Sequence, residues 1–206
     1  LKGSVANEFT LNIETAEKIT CDLSFVSIDA EQVSAGSMKA GNRPSLVEAD
    51  AFNTSSDFSR IKMAIYTPGN AAPQPLFGFI TEATITINNN VEPNKAVSVL
   101  GAFDVTAGTF EVGGDITAYF SDVAAVRAVR DNASVTLDMH MVKNNSGISI
   151  DIPLITFGDA RAEVEQDTPI MLPLESNAAT GAGIDPLMDH TALIVWFDYL
   201  PDLADS

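Results

Sequence analysis

Apolar residues recur at every second position along most of this chain, and that period fixes what it can build. Phe9, Leu11 and Ile13 form one such run, followed by Ile19, Cys21, Leu23 and Phe25. Further runs are Ala83, Ile85, Ile87; Phe110, Val112, Ile116, Ala118; Val135, Leu137, Met139, Met141; and Ile148, Ile150, Ile152. Successive side chains of a strand point to opposite faces, so each run predicts a strand with one face in a core and one in water. The interleaved Thr, Asn, Ser and Asp suit antiparallel sheets with a solvated side, whereas a parallel sheet covered on both faces would show unbroken apolar runs. "TALIVWFDYL", residues 191–200, is apolar on both faces and is expected to cross the middle of a sheet or to lie against a neighbouring subunit.

One stretch has a different period. In "SDVAAVRAVRDN", Ser121 can cap a helix and Asp122 suits its positive end. Val123, Val126 and the pair Ala124, Ala128 follow helical spacing, and Arg127 and Arg130 fall towards the negative end. About three turns of helix with little bulk suit a cover over one end of a barrel or sandwich. The expected fold is therefore mainly β: an antiparallel sandwich or barrel with one short flanking helix and one long inter-strand loop.

The two parts of the chain also repeat each other. "EFTLNI" (8–13) matches "EATITI" (82–87) in character, and "ITCDLS" (19–24) matches "VGGDIT" (112–117). The first pair is joined by the short turn "ETAEK"; in the second the connection is longer by 19 residues, the difference between offsets of 93 and 74. This implies a duplicated strand pair, one copy of which carries an insertion. The inserted segment, 88–108, opens on Asn88, Asn89 and Asn90 and bears the apolar Val97, Val99, Leu100 and Phe103. Connections this long are usually functional or disordered. Exposed apolar side chains on such an arm need cover, either its own domain or an adjacent subunit.

Bulk properties narrow the function. With 206 residues, 46% of them hydrophobic, the chain can bury a core as one large domain or two small ones. A formal charge of -17, from 28 acidic against 11 basic residues, argues against phosphate binding, because nucleic-acid affinity comes chiefly from Lys and Arg. Cys21 is the one cysteine, so no internal disulfide forms, and its place in "ITCDLSF" predicts a buried small residue rather than a reactive thiol. No apolar run approaches the roughly 18 residues that span a bilayer. The opening "LKGSVANEF" is not a signal peptide, and its start at Leu1 is read as the start of a fragment.

Nothing in the chain assembles a catalytic set. His140 lies on the polar side of a strand and His190 in a loop beside Asp189, far apart in sequence and without a serine elbow, so both are expected to be structural or surface residues. The acidic stretches "EVEQD" (163–167) and "DPLMDH" (185–190) lack the oxygen spacing of a calcium loop and read as solvated loops. "GNAAPQP" and "TGAGIDP" have glycines without the strand, helix and lysine of a phosphate cradle, and read as turns. No catalytic residue, cofactor or metal ligand is expected.

The order of the segments resembles a known family. "ATITINNNVEP", then "LGAFDVTAGTFEVGGDITAYFSD", "VTLDMHM", "ISIDIPLITFGDA" and "EVEQDTPIMLPLESNAA" follow one another as in the tail tube proteins of long-tailed bacteriophages, over about residues 82–200. The upstream "NEFTLNIETAEKITCDLSFVSID" is similar to the end of a first domain in members with two tandem tube domains. The resemblance implies a partial first tube domain over 1–66 and a second over 67–206, with 88–108 as an arm bridging to a neighbour. It implies stacked homo-oligomeric rings in the virion tail, assembled in the host bacterial cytoplasm. The rings would be trimers with pseudo-sixfold symmetry or hexamers, and other tail proteins would close the tube ends. Genomic DNA would pass without specific binding during ejection, and no membrane would be bound. Asp22, Glu111 and Asp115 are the expected acids of an electronegative bore. A rival reading is an acidic β-sandwich binding module, an adhesin or carbohydrate-binding domain. It is poorly supplied, since Trp196 lies in an apolar strand and there are only 3 tyrosines to form a sugar platform.

Overall fold

The computed structural model describes residues 1–30, 45, 50–66, 74–76, 79–119, 123–160 and 170–197. Its strands are β1 (Val5–Glu14), β2 (Thr20–Val26), β3 (Phe58–Ile65), β4 (Gln74–Pro75), β5 (Ile80–Asn88), β6 (Glu92–Asn94), β7 (Asp104–Thr106), β8 (Glu111–Tyr119), β9 (Val135–Lys143), β10 (Ser146–Ala160), β11 (Met171–Ala179) and β12 (Leu193–Phe197), with one helix, α1 (Val123–Arg130). Ten of the strands form one sheet in the order β2-β1-β5-β8-β11-β10-β9-β3-β4, with β12 added to β10; β6 and β7 pair separately. Strands from 1–66 and from 67–206 thus share a sheet. The pairings are antiparallel, as the alternation requires.

The sheet curls so that its apolar side closes on itself. Leu11, Ile85, Ile116 and Leu174 from one half join Met63, Leu137, Met139 and Ile152 from the other in one buried cluster. Each burial of such a side chain contributes about 1.5–3 kcal/mol, and this is the main force holding the curl. The β9 to β10 hairpin closes through Asn144 and Asn145, both at positive φ (49° and 66°), the two-residue turn whose twist matches the strands it joins. The length of β10 lets it serve several neighbours. It pairs with β9 along one edge, and on the other with β12 through Gly147–Asp151 and with β11 beyond Leu154. The helix packs on β10, with Val126 against the core and Arg127 and Arg130 in its last turn. Ser121 and Asp122, its expected cap and first turn, lie outside the described residues.

Three sequence expectations change. Of the run 191–200 the structure describes 191–197, and there the strand is not in the middle of a sheet: among the described residues β12 pairs with β10 alone, and Leu193, Ile194 and Val195 are exposed. Cys21 is exposed rather than buried: among the described residues no strand lies outside β2. Phe110 precedes β8 and is exposed.

The repeat is realised in register as well as in sequence. The β1–β2 pairs Glu8↔Ser24, Phe9↔Leu23 and Asn12↔Thr20 become, under the offsets 74 and 93, the β5–β8 pairs Glu82↔Thr117, Ala83↔Ile116 and Thr86↔Gly113. Even the irregularity is repeated: the register shift between Ala6 and Glu8 falls where its counterpart falls between Ile80 and Glu82. Between the hairpins β1 meets β5 with Leu11 opposite Ile85, its own counterpart. The two hairpins are therefore related by a local twofold axis through that pair.

Candidate functional site

The outer side of the β2-β1-β5-β8-β11 half forms one polar face, and the register says which residues share it. Thr10 stands opposite both Asp22 and Thr86, Glu14 opposite Glu82, Asn88 opposite Glu8 and Glu111, and Asp115 opposite Glu175. The three acids expected of a bore, Asp22, Glu111 and Asp115, thus fall on one side of the sheet, and Glu8, Glu14, Glu82 and Glu175 join them. Among the described residues of these five strands, no Lys or Arg shares that face. The carboxylates are held by amides instead: Asn12 Nδ2 donates to Asp22 Oδ2 at 3.0 Å and Asn88 Nδ2 to Glu8 Oε2 at 3.2 Å. Hydroxyls fill the remaining sites, with Thr10 and Thr86 Oγ1 atoms 3.5 Å apart. Such a surface offers an anion no cationic side chain to pair with.

Two pairs of these acids are linked by the repeat alone. Offset 93 carries Asp22 onto Asp115, and offset 74 carries Glu8 onto Glu82, so the acidic pattern is part of the repeat. In the inward alternation of β8, between Val112 and Ile116, Gly114 has φ +143°, and a Cβ there would collide with the Thr84 carbonyl oxygen. A side chain is excluded where Gly114 of β8 faces the backbone of Thr84 in β5.

The arm is fastened at its base and bare at its tip. Asn88 Oδ1 accepts from the Asn90 N–H, Asn89 donates its N–H to Asn7 O and its Nδ2 to Ala6 O, and Asn90 Nδ2 donates to Thr109 O. Asn90 itself sits at φ +47°, a backbone region asparagine tolerates well. These three asparagines splice the arm to the start of β1 and to the entry of β8. The short β6 and β7 then pair, Ala102 N–H reaches Ile28 O, and Val91 and Ala102 are buried. Beyond this clasp Val97, Leu100 and Phe103 are exposed, and Val99 is nearly half so. The arm's root folds back on residues 1–30, whereas its apolar tip finds no cover within the described residues.

The histidines are placed as the sequence expects. His140 Nε2 lies 3.1 Å from Asp138 Oδ1, and His190 Nε2 lies 3.3 Å from Asp151 Oδ2. No group of three or more His, Cys, Asp or Glu that could hold a metal ion occurs among the described residues. The loop "DPLMDH" is an ordinary turn in which Leu187 N–H donates to Asp185 Oδ1, and Gly181–Gly183 forms a single 3-10 turn. "EVEQD" and most of "GNAAPQP" lie outside the described residues.

Asp57 was not foreseen. It is buried and accepts from the Asn53 N–H at 2.7 Å and from Ser56 Oγ, with Lys143 Nζ at 3.2 Å. The Asn53 backbone donor, assisted by Lys143 and Ser56, holds its carboxyl below the ordinary 3.8 against the opposing effect of burial. The loop it pins clasps the turn of the first hairpin: Ile19 N–H donates to Phe52 O, and Thr54 Oγ1 to Glu14 O.

The sequence profile of phage tail tube proteins matches residues 1–178, which include the acidic face and the arm. The chain belongs to the phage tail tube protein family. That membership gives it a structural role in the virion tail, together with itself and other tail proteins. No protein of curated function matches the chain. The strand β12 lies beyond the part that matches the tail tube profile.

Proposed function

We propose that this chain assembles into rings that stack as the wall of a tail tube, with its acidic face lining a bore through which genomic DNA passes. The observation that carries this reading is the composition of the face: carboxylates on five adjacent strands and no cation among their described residues. DNA gains affinity when Lys and Arg displace its counterions, and a carboxylate wall provides no such exchange. Repulsion over a Debye length of about 8 Å at physiological ionic strength keeps the phosphates off the wall. Weak contacts repeated along a tube would otherwise sum to arrest. The exposed tip of the arm supports a bridging role, since Val97, Leu100 and Phe103 gain cover on an adjacent subunit or ring. The tube domain 67–206 and the preceding segment 1–66, with its equivalent hairpin, would enter rings of three or of six copies, which native mass spectrometry separates. Assembly takes place in the host bacterial cytoplasm, and other tail proteins terminate the tube.

Negative-stain microscopy of the purified protein tests the assembly: stacked rings of constant bore are expected, and a dispersed monomer at high concentration overturns it. The electrostatic part has its own test. Reversing Asp22, Asp115 and Glu175 together to Lys should make assembled tubes retain DNA at low salt and release it as salt rises. Equal retention by unaltered tubes would refute a repelling bore.

A further inference from the structure

We propose that the outer edge of β2 is completed by β12 of a second copy, laid along β2 as β11 is laid along β8. This rests on the ring assembly proposed above and names the strands that join one subunit to the next. The local twofold axis carries the outer edge of β2 onto the outer edge of β8. In β8 that edge is occupied: Ile116 stands opposite Leu174 and Ala118 opposite Leu172, leaving Ile116 1% and Ala118 0% exposed. Their counterparts on β2, Leu23 and Phe25, have the same face and the same register on β1, yet are 59% and 57% exposed. The sequence of β2 is thus that of a covered strand, and no strand among the described residues covers it. An apolar strand edge left open is an invitation to pair, and soluble proteins normally blunt such edges with charge or proline.

The chain itself supplies a strand that fits. Among the described residues β12 pairs only with β10, and Leu193, Ile194 and Val195 along it are exposed. Its five residues, LIVWF, can present apolar side chains opposite Leu23 and Phe25 as Leu174 and Leu172 do opposite Ile116 and Ala118. Strand addition supplies main-chain hydrogen bonds, and the facing pockets supply the fit. Acceptor and donor are different edges of the same chain, so the contact is heterologous and repeats head to tail, closing a ring where the rotation allows.

Cys21, exposed on β2 beside Leu23, is a built-in probe. In tubes of the unaltered protein its reaction with a thiol reagent should slow at least about tenfold relative to the free subunit, because attack needs access to the sulfur. Leu23→Lys at the acceptor and Val195→Lys at the donor should each abolish ring formation while leaving the circular dichroism spectrum and melting temperature of the monomer unchanged, both side chains being exposed there. Cys21 reacting in tubes as fast as in free subunits, or either variant forming tubes in normal yield, overturns the pairing. If the unaltered protein forms no rings at all, it is the assembly reading that fails.

Discussion

The two repeated hairpins are the same object in different surroundings. β1–β2 and β5–β8 share register, bulge and alternation, and they meet across their common axis. Yet the inward positions of β8 are sealed by β11, while those of β2 stand open. Burial here is decided by what lies beyond the edge of a strand, not by the strand's own sequence. A residue's place in the alternation tells which way it points; only its neighbours tell whether anything is there to meet it.

Substitutions at equivalent positions measure that difference. Ile116→Ala should lower the subunit's stability by about 2–5 kcal/mol in urea unfolding, since it empties a sealed position. At its counterpart, Leu23→Ala should stay within about 0.5 kcal/mol in the free subunit, as exposed positions do. Similar costs at the two sites would mean β2 is already covered in the monomer. Next in size is Gly114→Ala, about 1–3 kcal/mol from strain and collision with Thr84, against no measurable loss for Cys21→Ala at the equivalent place.

A smaller effect separates the ends of the hairpins. The first hairpin's turn is held by the loop that Asp57 pins, and that carboxyl is depressed in the folded state. Its contribution is therefore full above the ordinary value of 3.8 and fades as pH falls through the lower folded value. Amide exchange, corrected for its intrinsic pH dependence, should accelerate at residues 17–19 and 53–54 on acidification, and β5–β8 should not follow. Asp57→Asn should remove that pH dependence. The least effect is expected from deleting 96–100: the free subunit's melting temperature should barely move, because the tip contributes little to its own fold, whereas stacking of rings should fail.

The strands with one wet face, β1, β2, β5, β8, β9 and β10, were legible because alternation is the direct imprint of a two-sided environment. Others were hidden for physical reasons. β11 carries Pro173, which weakens a strand assignment, and it buries Ser176, whose hydroxyl is satisfied by Gly114 O rather than by water. β6 and β7 are three residues each, too short to show a period. Asp22, Glu111 and Asp115 could be chosen as acids on the polar side. Glu14 and Glu175, however, join that face through pairings that sequence alone does not give. Cys21 misled because its alternation position promised a partner strand that the described residues do not provide.

The twofold relation between the hairpins also turns them in opposite directions. The five-residue turn ETAEK lies at one end of the sheet and the arm at the other. Since only one of the two copies received the insertion, the sheet has a head and a foot. A column stacked along that direction, as proposed above, would carry an arrow: each new layer would be added in one orientation and not upside down.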